Sequence, residues 1–156
     1  MNKTAPLWII IAILSAIIVV AGYKFIAAGS TAAAEDGRTA VLLSKAERQS
    51  VLTEMRTLLE ATQQVVKGLA ENDMNAVIAA ATPVSSKGHG TVDFKLAAKL
   101  PLGFKKLGFA THHAFDDIIS MAQAGQPRDE IQLKLVEIMD KCVACHASFQ
   151  LPEAKE

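Results

Sequence analysis

The chain has 156 residues, enough for one domain with appendages. Sixteen Lys and Arg balance sixteen Asp and Glu, so there is no electrostatic case for a nucleic-acid partner. Apolar residues make up 51% of the chain, a share raised by its N-terminus.

Leu7 to Ala21 carries no charge, and Lys3 precedes it. Two readings fit this stretch. A basic start, an apolar run and Ala32-Ala33-Ala34 as an A-x-A-like site describe a cleavable signal peptide. Alternatively, the 22 residues from Leu7 to Ala28 include one charge, Lys24, and about 20 apolar residues suffice to cross a bilayer. Lys24 can snorkel at the outer end, and Trp8 and Tyr23 sit where interfacial aromatics belong. The run is long and the candidate cleavage site lies well beyond it, so an uncleaved anchor is the preferred reading for residues 1–28. With Lys3 held inside, the rest of the chain lies on the outer face.

Residues 29–38 are small and polar and predict a flexible linker. From about Thr39 the pattern is helical: Leu42, Leu52, Met55, Leu59, Val66 and Leu69 are spaced for one buried face of a helix ending near Glu71. Gly68 weakens that helix, by about 1 kcal/mol against alanine. Asn72-Asp73 offers an N-cap for a helix over Met74–Ala81, which Thr82-Pro83 stops. Residues 83–91 read as a loop containing His89, and Asp93 to Leu100 as a short helical stretch. A helix from about Phe104 to Ala124 presents Leu107, Phe115, Ile118, Ile119 and Ala122 inward. Gly125-Gln126-Pro127 ends it, and Pro127 with Asp129-Glu130 starts a last helix running to about Phe149. On that helix Ile131, Leu135, Ile138, Cys142, Cys145 and Phe149 form one stripe. No strand pattern is evident. The expected fold class is all-α: four amphipathic helices in an antiparallel four-helix bundle over 39–151, after the N-terminal hydrophobic helix and before a tail at 152–156.

The last helix carries the most specific motif, Cys142-Val143-Ala144-Cys145-His146. C-x-x-C-H is the attachment signature of c-type haem. Two thiols one helical turn apart can each join a haem vinyl group, and the next residue can reach the iron, for which imidazole is a standard ligand. These are the only cysteines in the chain. The other readings are weaker. A thioredoxin-like C-x-x-C belongs near a βαβ pattern, which is missing. A zinc site would draw on two of His89, His112, His113 and His146, without the H-x₃₋₅-H spacing. A disulfide between Cys142 and Cys145 inside a helix would be strained.

With the haem motif on its last helix, the chain resembles the cytochrome c′ and cytochrome c-556 family of four-helix-bundle monohaem cytochromes. Arg48-Gln49-Ser50-Val51-Leu52-Thr53-Glu54-Met55 is similar to the family's R-Q-S-x-L-x-x-M run in the first helix, and Val65-Val66-Lys67-Gly68 and Asp73 fall at family-like spacing. The likeness covers roughly residues 40–150, and between these motifs it is one of helical character only. It implies one covalent haem c, with Cys142 and Cys145 as thioethers and His146 as proximal iron ligand. Arg48 would lie near a haem propionate and Leu52 on the distal face. Where the family often has an arginine four residues after the ligand His, this chain has Gln150.

The sixth position stays open between an uncovered iron behind Leu52, Met55, and bis-His ligation through His113 or His112. For Met55 the alternative is a gap-filling core methionine; for the two histidines it is a surface or hydrogen-bonded role. Met74, Met121 and Met139 read as ordinary core or surface residues, and Lys105-Lys106 as a solvated face that could dock an acidic redox partner. The expected function is single-electron transport by a membrane-tethered periplasmic cytochrome, not enzyme catalysis; binding of nitric oxide or carbon monoxide at five-coordinate iron is the alternative. Implied partners are redox proteins of the periplasm or inner membrane and the membrane itself, with a homodimer left open.

Overall fold

A computed structural model of the protein describes residues 5–88, 90 and 93–153. The chain is mostly helical (76%), with six α-helices and one small three-stranded sheet among the described residues. Helix α1 (Ala5–Gly22) passes into a π-helical turn over Tyr23–Ala28. Strands β1 (Thr31–Ala33) and β2 (Thr39–Val41) follow, then α2 (Lys45–Glu71), α3 (Met74–Ala81), α4 (Phe94–Lys99), α5 (Leu102–Gln123), α6 (Arg128–Ser148) and β3 (Phe149–Gln150). Residues 6–28 form an apolar helix of 23 residues with none of its hydrophobic window buried in the protein.

Residues 29–38, expected to be a flexible linker, contain strand β1 and the turn that leads to β2. Thr31 pairs with Val41 and Ala33 with Thr39 in an antiparallel hairpin, and β2 pairs in parallel with β3. Asp36-Gly37 at the tip is a hairpin-forming dipeptide, and Gly37 has the left-handed φ of 84° that such a turn needs. The strands escape a periodicity reading because each has only two or three residues. The first domain helix starts at Lys45, not Thr39, because Thr39–Val41 is a strand and Ser44 caps the helix. Ser44 Oγ accepts from Glu47 N–H at 3.3 Å while Glu47 Oε2 accepts from Ser44 N–H at 2.8 Å, a complete capping box. Asn72, in the left-handed region at φ 59°, closes α2 by donating its N–H to the Gly68 and Leu69 carbonyls. Asp73 then caps α3, accepting from Ala76 N–H at 2.9 Å.

The larger core draws Ala61, Val65 and Leu69 from α2, Val77 and Ala81 from α3, Phe115, Ile118 and Ala122 from α5, and Ile131, Leu135 and Ile138 from α6. The buried face of α2 differs from the expected one. Leu42, Leu59 and Val66 are 47%, 69% and 49% exposed, Leu52 and Met55 are half-buried, and only Leu69 of the expected set is buried. Leu58-Leu59 and Val65-Val66 offer two apolar stripes about 100° apart on one helix. Packing selects the stripe carrying Ala61 and Gly68, whose small size lets α3 approach. A Cβ on Gly68 would lie 2.8 Å from Val77 Cγ2. A second, smaller core joins Val41, Leu43, Val51, Leu96, Leu100 and Phe104, with Met55, Cys145, Phe149 and Leu151 packed on it.

Candidate functional site

Between the two cores lies a cavity of about 600 Å³, within the roughly 300–1,000 Å³ common for small-molecule and cofactor sites. Its walls are mainly apolar. Leu52, Met55, Leu58 and Leu59 come from α2, Leu96, Ala97 and Leu100 from α4 and its end, and Phe104, Leu107 and Phe109 from α5. Helix α6 supplies Met139, Cys142, Cys145 and His146. The stripe on α6 thus divides: its first half enters the larger core and its second half meets the cavity. The exposure of Leu59 has its explanation here, since it lines the cavity wall.

Both thiols border this space. Cys145 is half-buried against the second core, and Cys142, though more accessible, also faces the apolar wall. Desolvation raises the pKa of Cys142, and desolvation together with the neighbouring Cys142 raises that of Cys145. Both are therefore neutral thiols at neutral pH, a form with little nucleophilic reactivity. Cys145 and His146, with Leu52, Met55 and Phe104, also border an adjoining pocket of about 150 Å³ closed by Arg38, Phe149, Gln150 and Leu151.

The segment after His146 is held by two arginines. Arg38 donates from one guanidinium nitrogen to the His146 carbonyl at 3.2 Å and the Phe149 carbonyl at 3.4 Å, while Asp36 grips its Nε at 2.7 Å. That contact lowers the Asp36 pKa, chiefly through the hydrogen bond from the Arg38 side chain. Arg48 donates Nε to the Leu151 carbonyl at 2.9 Å. It does not line either cavity, so this bond is the contact the structure gives for a residue expected near a propionate. Phe149 meets Phe104 edge-on at a centroid distance of 5.5 Å. Sequence reasoning missed Arg38, and the Asp36-Gly37 turn signal was the one clue to it.

The two adjacent histidines part company. His113 is 70% exposed, faces Asp116 at 3.4 Å and does not border the cavity. His112 is buried on the cavity wall, with Nδ1 2.8 Å from the Val84 carbonyl and Nε2 3.1 Å from Glu54 Oε1. Burial alone would lower its pKa, but the Glu54 hydrogen bond, the Val84 carbonyl and the charges of Glu54 and Asp116 outweigh it and raise the value. With acceptors at both nitrogens the ring is suited to the doubly donating imidazolium, which has no lone pair for a metal. His89 lies outside the described residues. Among the described residues no three His, Cys, Asp or Glu side chains form a metal-holding group, so the four protein ligands of a structural zinc site are not assembled.

Comparison with protein-family models, with curated proteins and with solved structures returned no match.

Proposed function

We propose that the protein is a membrane-anchored c-type cytochrome that carries single electrons on the outer face of a bacterial inner membrane. The observation that carries this reading is the convergence of Cys142, Cys145 and His146 on one wall of an apolar cavity of about 600 Å³. The residues fit a covalent haem: two thiols one helical turn apart, an imidazole beside them and a greasy enclosure opposite. In this reading α2, α3, α5 and α6 are the four helices of an antiparallel bundle, and α1 is the anchor.

Cys142 and Cys145 would hold the haem as thioethers and His146 would ligate its iron. When bound, haem supplies an iron centre that takes up and gives back one electron. The chain's own part is to exclude water with Leu52, Leu59, Leu100 and Phe104, and to hold the His146 backbone through Arg38. The apolar side chains that line the site would tune the potential.

Purified full-length protein from cells competent in cytochrome maturation should be coloured and carry the mass of one haem through denaturation. A colourless protein without that mass overturns the proposal. Gas binding is the second reading, favoured by Leu52, an apolar side chain on the same α2 wall as Met55. Reduced-state spectra with and without carbon monoxide separate the two. A sulfur-to-iron charge-transfer band in the oxidised protein and no carbon monoxide shift support Met55 ligation and electron transfer. Broad high-spin bands that shift with carbon monoxide support the open form.

A further inference from the structure

We propose that the face formed by α4 and the start of α5 is a docking surface for anionic phospholipid headgroups, so that the domain lies flat on the bilayer instead of swinging on a tether. The inference rests on reading residues 6–28 as a membrane anchor.

Its first support is the absence of slack at the junction. The π-helical turn at Tyr23–Ala28 packs directly on α4 and α5. Lys105 Nζ donates to the Phe25 carbonyl at 3.4 Å, Lys24 Nζ to the Gly29 carbonyl at 2.8 Å, and Ser30 N–H to the Lys99 carbonyl at 2.7 Å. Gly29 makes the contact feasible. Its φ is 65°, and a Cβ there would sit 2.5 Å from the Lys99 carbonyl oxygen.

Length then brings the face to the lipid. The 23-residue anchor is roughly 35 Å long, against about 30 Å for a hydrocarbon core and about 5–7 Å for each headgroup layer. The residues that follow it therefore enter the headgroup layer. Helix α4, only about 9 Å long, extends from this junction to Phe94, which is 82% exposed.

Composition is the second support. Residues 93–109 carry four lysines (Lys95, Lys99, Lys105, Lys106) against one aspartate, Asp93. Lys99 is engaged by Glu47 at 2.7 Å and Lys105 by the Phe25 and Ala97 carbonyls, which leaves Lys95 and Lys106 as exposed cations outside these contacts. Phe94 and Phe109 are exposed aromatics among them. Exposed aromatic and basic side chains on two segments that both pack against the Tyr23–Ala28 turn suit an anionic interface. Leu96, Ala97, Lys105 and Phe109 also line the large cavity, so docking would hold one cavity wall at headgroup level.

The test reconstitutes the full chain into phosphatidylglycerol or phosphatidylcholine vesicles containing a trace of photoactivatable phosphatidylglycerol, and maps labelled peptides by mass spectrometry. Docking predicts label on 6–28 and on 93–109. The 93–109 signal should be at least threefold stronger in phosphatidylglycerol vesicles and fall by a similar factor in Phe94→Ser/Lys95→Glu/Lys106→Glu, three exposed positions whose change spares the fold. Label confined to 6–28 overturns docking, leaves the anchor standing and leaves the lysines to an acidic protein partner. No label on 6–28 overturns the anchor and docking together. Label on 93–109 that ignores lipid charge and the triple variant also overturns the proposal.

Discussion

At the scale of single residues, the Glu54–His112 pair links the cavity wall to pH. The His112 pKa is raised in the folded protein, so the pair's stabilisation is fully present below the ordinary value of 6.5 and is lost as pH rises through the higher folded value. Thermal unfolding of wild type and Glu54→Gln should therefore differ most near pH 5 and converge in alkaline buffer. A difference that grows with pH would contradict the assignment. Glu54 is 41% exposed on its side chain, so solvent screening keeps the effect modest.

The histidines also measure what was legible. A His-His dipeptide signals that the two rings face different ways, and it was open which one turned inward. The choice fell to His112 because the Val84 carbonyl and Glu54, brought by different elements, wait at its two nitrogens. Nothing in the local sequence announces those acceptors. By contrast, the placement of Cys142, Cys145 and His146 on one wall follows from helical periodicity alone.

At the scale of elements, Gly68 reverses its first reading. Helix propensity alone makes Gly68→Ala favourable by about 1 kcal/mol. The added Cβ would meet Val77 Cγ2 at 2.8 Å and the Asp73 carbonyl oxygen at 3.1 Å, so α3 must shift. Overpacking of this kind costs about 1–3 kcal/mol, and Gly68→Ala should lower the midpoint of urea unfolding. A raised midpoint would mean that the α2–α3 contact is looser than the structure has it.

The start of α2 makes a second case. Glu47 closes the capping box and also receives Lys99 at 2.7 Å, tying α2 to α4. Foremost the Lys99 hydrogen bond, then those from Ser44, lower its pKa to about 2. The stabilisation is present above the ordinary value of 4.5 and is lost as pH falls toward 2. Glu47→Gln should thus lower stability at pH 7 and approach wild type near pH 2 in acid titrations followed by circular dichroism. Ser44→Ala, which removes only the cap, should cost about 1 kcal/mol.

At the scale of the molecule, the hairpin and β3 join the two ends of the domain. Gly29 is the fixed junction between this assembly and the N-terminal apolar helix, and its φ of 65° and ψ of −159° belong to a region nearly exclusive to glycine. Gly29→Ala should free the junction, and limited proteolysis of the reconstituted full chain should then cut within residues 29–38, where wild type resists. Equal resistance of the two would show that the junction is held without that backbone conformation.

Local pattern determined the helical class, the positions of α3, α5 and α6 within a few residues, the apolar N-terminal helix, and the grouping of the two thiols with His146. Each depends on periodicity or on capping chemistry within a few residues of itself. Tertiary structure decided which of two apolar stripes on α2 is buried, that Thr31–Ala33 pairs with Thr39–Val41, that Arg38 clamps the backbone after His146, and that the end of the N-terminal apolar helix packs on α4 and α5. Those outcomes are settled by partners distant in sequence: hydrogen bonds 108 residues apart, as from Arg38 to His146, leave no trace in local spacing.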